Sequence, residues 1–353
     1  MSDMPIPVFD GHNDTLLRLA ARAVQDPAAA FAGQSGTGHI DLPRARAGGF
    51  VGGLFAAFPP PVRMPSMEGS MRGASYDMPF PDLLALEAAQ ESVFGMFAVL
   101  LRLERAFPDD LAVCRSVADI RTAVAAGRLA AVMHMEGAEA IDPGLATLDV
   151  LHAAGLRSLG LVWSRPNIFA HGVPFRFPSS PDTGDGLTDR GVELVRACNA
   201  RRIVVDLSHL NEKGFWDVAR LTTAPLVASH SNVHALCPSA RNLTDRQLDA
   251  IKESRGLVGL NFATCFLRPD GAMRADTDLD LMVRHIDALV ETLGEDGVGF
   301  GSDFDGAVVP AGIGDVAGLP HLVARLRTAG YGDALVAKIC AENWLSVLER
   351  SWA

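Results

Sequence analysis

No stretch of this 353-residue chain approaches the ~18 uninterrupted apolar residues that a membrane span requires. There is no Lys/Arg-rich block either, and the net charge is −11. Nucleic acid and anionic membrane surfaces are therefore not expected as partners. Cysteine is sparse: Cys114, Cys198, Cys237, Cys265 and Cys340 are odd in number, widely scattered and without a C-x-x-C spacing. That pattern excludes a disulfide framework and fits free thiols in a reducing cytosol. The start, Met1 to Pro5, lacks the basic and apolar regions of a signal peptide, and Ser351-Trp352-Ala353 lacks the apolar segment of a lipid-anchor signal. A cytoplasmic protein is expected. No repeat of fixed period runs through the chain. What remains, 48% hydrophobic and 21% charged residues, is the composition of a soluble globular protein with a large core.

The positive signal is an alternation. Short apolar runs recur at Pro7–Phe9, Gly52–Phe58, Leu129–Met135, Ser158–Trp163, Ile203–Leu207, Leu226–Ser229, Leu257–Asn261 and Val298–Gly301. Between them lie helical stretches such as Leu83–Phe107, Asp189–Ala200, Glu212–Leu221 and Leu279–Leu293. The runs do not alternate apolar with polar, as expected of parallel strands covered on both faces. Eight such strands separated by helices predict a (β/α)8 TIM barrel in one domain over residues 1–353. Two stretches rich in Pro and Gly, about 59–81 and 167–186, follow strands 2 and 4 and read as long loops over the C-terminal face. A closing helix is expected over Asp333–Glu349, with Trp344 on or near its apolar face.

On that template the unusual polar residues fall at strand ends. Strand 1 leads into Asp10-Gly11-His12-Asn13-Asp14, where an i, i+2 spacing in an extended segment aims His12 and Asp14 to one side. The competing reading of Asp14 is a cap for the helix starting near Thr15. Strand 3 ends in Glu136, strand 5 leads to His209, strand 6 ends in His230, and strand 8 leads to Asp303. Barrel enzymes keep their active sites at this end. Six acid or imidazole groups at five matching strand ends are hard to explain as packing, because buried carboxylates need cations or several donors. Three His and three carboxylates exceed one tetrahedral metal and suit two metals sharing a carboxylate. The imidazoles favour zinc, with manganese, cobalt and iron open.

The ordered set Asp10-Gly11-His12-Asn13-Asp14, His39-Ile40-Asp41-Leu42, Glu136-Gly137, Leu207-Ser208-His209, Ser229-His230-Ser231, Ala240-Arg241-Asn242 and Gly301-Ser302-Asp303-Phe304-Asp305-Gly306 resembles the membrane (renal-type) dipeptidases, metallopeptidases within the amidohydrolase-type barrels. The resemblance covers nearly the whole chain. It implies two Zn2+, with His12 and Asp14 on one, His209 and His230 on the other, and Glu136 as the bridge. Asp303 matches the family's acid/base carboxylate, and Arg241 the arginine that takes the substrate's terminal carboxylate. It further implies a free dipeptide as substrate, L-Xaa-D-Xaa included, and a homodimer.

Trp163 departs from the family pattern, standing where many members carry a His that reaches the scissile carbonyl. His171, Arg165 or a metal are the candidates to replace it. Cys340-Ala341-Glu342-Asn343-Trp344 matches the family's Gly-Gly-Asn-Phe pattern only loosely, with an expected effect on packing. Cys237 reads as structural. His134 and His234 are expected no closer to the metals than the ligands' surroundings, and His285 on a helix surface. The alternatives are another amidohydrolase-type reaction (acylamino-acid, lactone or cyclic amide) and a barrel that holds metal without catalysis. No Lys lies in the site region, which argues against the subgroup that uses a carbamylated lysine.

Overall fold

The computed structural model describes residues 5–63, 70–72 and 74–353. Among the described residues eight parallel strands close the barrel: β1 (Val8–Asn13), β2 (Phe50–Ala57), β3 (Leu129–Glu136), β4 (Leu156–Gly160), β5 (Val204–Asp206), β6 (Val227–Ser231), β7 (Leu257–Asn261) and β8 (Val298–Gly301). Their order is β2-β1-β8-β7-β6-β5-β4-β3, and β2 pairs back onto β3 from Gly52↔Ala130 to Ala57↔Met135. The sheet therefore closes on itself with helices outside it, the (β/α)8 barrel expected from the alternation. Every residue of β3, β6, β7 and β8 is buried. Burial on both faces is why these runs carry no period-two polarity.

The helices start where their capping chemistry places them. Thr188, Asn211 and Asp278 each accept a backbone N–H with the side chain at the head of Asp189–Ala200, Glu212–Leu221 and Leu279–Leu293. Thr244 and Gln247 form a reciprocal capping box at Asp245–Glu253. Among the described residues no helix is long and apolar enough to cross a membrane.

Three features differ from the sequence expectation. A further parallel strand, Leu111–Cys114, pairs with residues 129–132 of β3, while β4 pairs only with residues 133–136. Two short segments thus share one long edge, and four residues are too few to show a period. The stretches 59–81 and 167–186 are also not plain loops. Met71–Arg72, Ser75–Asp77 and Arg176–Phe177 form an antiparallel sheet, with Tyr76 stacked on Phe177 and Arg176 paired to Asp77 at 2.8 Å. The two insertions pair with each other, which neither shows alone; residues 64–69 and 73 of the first lie outside the described residues.

The closing segment, finally, is three pieces: α-helix Asp333–Ala337, one π-helical stretch Lys338–Glu342, and α-helix Asn343–Trp352. The wider turn is followed at once by Trp344, which fills the barrel's lower interior. Its Nε1 donates to the Phe300 carbonyl at 2.8 Å, and Asn343 donates to the Val298 carbonyl at 2.8 Å. Gly11 and Gly299 make room, since a Cβ there would stand 2.2 and 2.5 Å from the indole. The loose Cys340–Trp344 pattern does act on packing, as the plug of the barrel's N-terminal mouth.

Trp344→Ala removes that plug and leaves glycine-lined space that cannot collapse. It should cost about 3–5 kcal/mol of stability, measured by denaturant unfolding. A change below about 1 kcal/mol would show that the barrel does not depend on the indole.

Candidate metal centre

At the C-terminal end of the barrel, side chains from five strand ends converge. The His12 Nε2 lies 3.5 Å from Asp14 Oδ2 and 3.7 Å from Glu136 Oε2. His209 and His230 bring their Nε2 atoms to 2.9 and 3.4 Å from Glu136 Oε1, and to 3.1 Å from each other. Ligand atoms of His12, Glu136 and His230 lie within 4.8 Å of one another, as do those of His12, Asp14 and Asp303. The structure thus brings together His12, Asp14, Glu136, His209, His230 and Asp303.

Local backbone geometry aims them. The strand β1 is bulged between Asp10 and Asn13, whose partners on β2 are Gly53 and Phe55. Asp14 lies beyond the strand at φ −101°, ψ 27°, so the turn, and not the strand pleat, turns its carboxylate to His12. It occupies the cap position of Thr15–Ala20 but makes no cap hydrogen bond. His209 and Asp303 sit at φ 66° and 59°, left-handed conformations that non-glycine residues rarely adopt. Gly306 lies against the two carboxylates: a Cβ there would stand 2.0 Å from Asp14 Oδ2 and 2.6 Å from Asp303 Oδ1.

Hydrogen bonds to the far side hold the His209 and His230 rings, and for His230 they set the tautomer. Ser229 donates its hydroxyl to Asp206 Oδ2, so it accepts from Nδ1–H of His230 at 2.8 Å. That leaves the His230 Nε2 as a lone pair facing the centre. Ser164 Oγ lies 2.8 Å from Nδ1 of His209 and holds that ring in place. The His230 lone pair and the Glu136 carboxylate oxygen face each other at 3.4 Å and repel unless a cation lies between them. Both ring nitrogens of His12 and Oδ1 of Asp14 are buried with no hydrogen-bond partner among the described residues. This donor set, imidazole and carboxylate, fits divalent metal.

The electrostatics agree. Burial holds the His12, His209 and His230 rings below their ordinary pKa, favouring the neutral form that ligates. Burial, then the neighbouring Asp14 and Asp303, pushes Glu136 well above the usual carboxylate range. Burial and then Asp305 raise Asp14 to about 7. Bare carboxylates packed this closely resist ionising together, and a cation removes that resistance.

Around the centre, Asn261 at the end of β7 donates to Asp303 Oδ2 at 3.0 Å. Sequence reasoning passed over Asn261, although it is the polar residue ending the predicted strand Leu257–Asn261. Arg241 is buried; it donates to the His230 carbonyl at 2.9 Å and Ser231 Oγ at 3.2 Å, and lies over the Phe266 ring. Its Nε has no hydrogen-bond partner, and no carboxylate forms an ion pair with it, among the described residues. It does not line the cavity above the centre. That cavity measures about 470 Å³ and is lined by Asp14, Glu136, His209, Asp303 and Trp163 with further apolar residues.

Of the candidates to stand in beside Trp163, Arg165 is held by Glu139 at 2.6 Å, and neither it nor His171 lines the cavity. His134 binds Ser158 at 2.9 Å and stands edge-on to His12. His285 differs from its expected surface position. It is buried, accepting from the Val233 N–H at Nδ1 and donating from Nε2 to the Leu267 carbonyl. Burial pushes its pKa down to about 4, so it is a neutral strut between helix and loop.

A profile of the family described as membrane dipeptidase (peptidase family M19) matches residues 3–351. The crystal structure of dipeptidase AC, a metallopeptidase of family M19, superposes with a TM-score of 0.95 at 55% identity, over 98% of this chain and 99% of that one. A metallopeptidase from Rhodobacter sphaeroides, solved with a phosphinate mimic of the dipeptide L-Ala-D-Ala, gives 0.94 at 53% identity over 99% and 100%. The dipeptidase ataJ of Aspergillus terreus is 30% identical over 98% of this chain and 84% of its own.

Stripping divalent metal with a chelator should lower the thermal midpoint, and adding metal back should restore it. A ligand at a thousandfold its Kd contributes about 4 kcal/mol to the folded state. Scanning calorimetry with and without chelator checks this; an unmoved midpoint would show that the cluster is stable without a cation.

Proposed function

The chain belongs to the membrane dipeptidase family and is a metallo-dipeptidase, and on that premise we propose that it is a binuclear zinc enzyme cleaving free dipeptides, L-Xaa-D-Xaa among them. The observation that carries this is the convergence of His12, Asp14, Glu136, His209 and His230, with buried, unpartnered ligand atoms on His12 and Asp14. His12 and Asp14 would hold one metal, His209 and His230 the other, and Glu136 would face both. The relative solved with an L-Ala-D-Ala mimic supports a D-configured second residue. When bound, the metals supply Lewis-acid polarisation of the scissile carbonyl and a water of lowered pKa.

The protein's own groups do the rest. Asp303 takes the proton of the attacking water and passes it to the leaving amine, a general base turned general acid. Asn261 fixes Asp303 Oδ2 and so leaves Oδ1 for the proton. Burial raises the Asp303 pKa above the ordinary carboxylate value, which suits a group that must hold the proton between the two steps. Arg241 is a buried guanidinium without an acidic partner among the described residues, and a substrate carboxylate is the anion that would complete it. A single domain is proposed because the barrel elements run from Val8 to Trp352. A cytoplasmic setting is proposed because all five cysteines are free and buried. A homodimer is proposed on the family resemblance alone.

Two variants separate holding metal from moving protons. Glu136→Gln should lower the metal content from two equivalents and abolish turnover. Asp303→Asn should keep its metal and lose about 10²-fold or more in kcat. Elemental analysis beside steady-state kinetics reads both, and an Asp303→Asn enzyme of near-normal kcat would remove that residue from the mechanism.

Amidating the dipeptide's C-terminus should cost about 2–5 kcal/mol in kcat/KM, because Arg241 is left buried and unpaired. Arg241→Ala should weaken turnover of free dipeptides and narrow the gap to their amides. Equal kcat/KM for a dipeptide and its amide in the unmutated enzyme would sink the Arg241 assignment.

A further inference from the structure

The cavity above the metal centre has two unlike parts. Its floor carries Asp14, Glu136, His209 and Asp303; every other residue lining it is apolar, a glycine or Cys265. Among the described residues no Lys, Arg, Ser, Thr, Asn or Gln lines it.

One side is a continuous run of rings. Phe58 and Trp163 lie 4.9 Å apart between centroids, Trp163 and Phe175 5.2 Å, and Phe175 and Phe266 6.1 Å. The run comes down to the ligand floor, where Trp163 is 6.0 Å from His209. It draws on the ends of β2, β4 and β7 and on the 167–186 insertion, so several parts of the chain meet to build it.

The wall also has a rigid foundation. Arg165 is fully buried behind it, paired to buried Glu139 at 2.6 Å, and donates to the Pro59 carbonyl at 2.6 Å. Its guanidinium carbon lies 5.7 Å from the Phe58 ring centre and 5.5 Å from that of Trp163. A buried ion pair contributes little net stability against an apolar replacement, so its stronger effect here is to fix two rings in place.

Resting on the dipeptidase reading, we propose that Phe58, Trp163 and Phe175 determine specificity, and that the enzyme selects dipeptides whose two side chains are both apolar. A polar or charged side chain in this cavity loses its water and, among the described residues, finds little on the walls beyond the Trp163 indole N–H and the Cys265 thiol. An acidic side chain fares no better than a basic one, since among the described residues no wall group carries a charge to pair with it. Leucine, methionine and phenylalanine side chains fill ring-lined space and release water from it.

The test is a matched set of free dipeptides with alanine at one position and Leu, Met, Phe, Gln, Lys or Glu at the other, run in both orders with metal-loaded enzyme. The apolar members should exceed the charged ones by roughly 10²-fold in kcat/KM. Trp163→Gln and Phe175→Gln should each shrink that ratio, chiefly through KM, and Trp163→Phe should restore most of it. The unmutated series decides even where a variant fails to fold. Turnover of charged and apolar dipeptides at similar kcat/KM, or a preference for charged ones, overturns the selectivity and leaves the dipeptidase reading intact. No turnover of any free dipeptide overturns both.

Discussion

A buried carboxylate facing three imidazoles is the constraint on which the upper half of this barrel depends. Glu136 has ring nitrogens of His12, His209 and His230 within 3.7 Å, and that of His230 presents a lone pair. Removing such groups from water costs several kcal/mol per ion unless something opposite in charge is present. Divalent metal supplies that charge. The contact of Ser164 with His209 and the Asp206–Ser229 pair behind His230 then follow as the means of holding those two rings, the latter in the tautomer that ligates.

The two ends of the barrel are handled in opposite ways. Below, glycines on β1 and β8 admit the Trp344 indole, and the interior is packed apolar solid. Above, the strand ends carry polar groups that no packing could satisfy, and backbone at φ > 0 aims two of them inward. Strain and electrostatic cost gather at the functional end, where a dense lower core can support them. Over that end, the paired insertions hold Met78 and Phe175 against the cavity, with a hydrogen bond of 2.9 Å from the Met78 N–H to the Phe175 carbonyl.

Much of this was legible in the chain. Both Leu257–Asn261 and Val298–Gly301 were readable to the residue, because a parallel strand buried on both faces is simply an apolar run that stops. The polar residues following such runs could be placed on one face from topology alone, since all strands of a barrel point the same way. His285 was not legible: it lies on a helix whose pattern tolerates a polar residue, and its two nitrogens are satisfied by separate segments, at Val233 and at Leu267. Nor was the sheet formed by Ser75–Asp77 and Arg176–Phe177, since two- and three-residue strands carry no periodicity and exist only through each other.

What the chain determined by itself was local and periodic: which runs are strands, which are helices, and therefore that His12, Asp14, Glu136, His209, His230 and Asp303 share one end of a barrel. What only the tertiary structure decided was everything resting on contacts between residues far apart in the chain. That includes the bulge in β1, the seating of Trp344 among glycines, the pairing of Arg165 with Glu139 behind Trp163, and Arg241 without an acidic partner among the described residues. Periodicity reports how one segment meets its immediate surroundings. Whether a buried charge is satisfied depends on which other segments close around it, and that is settled only when the barrel closes.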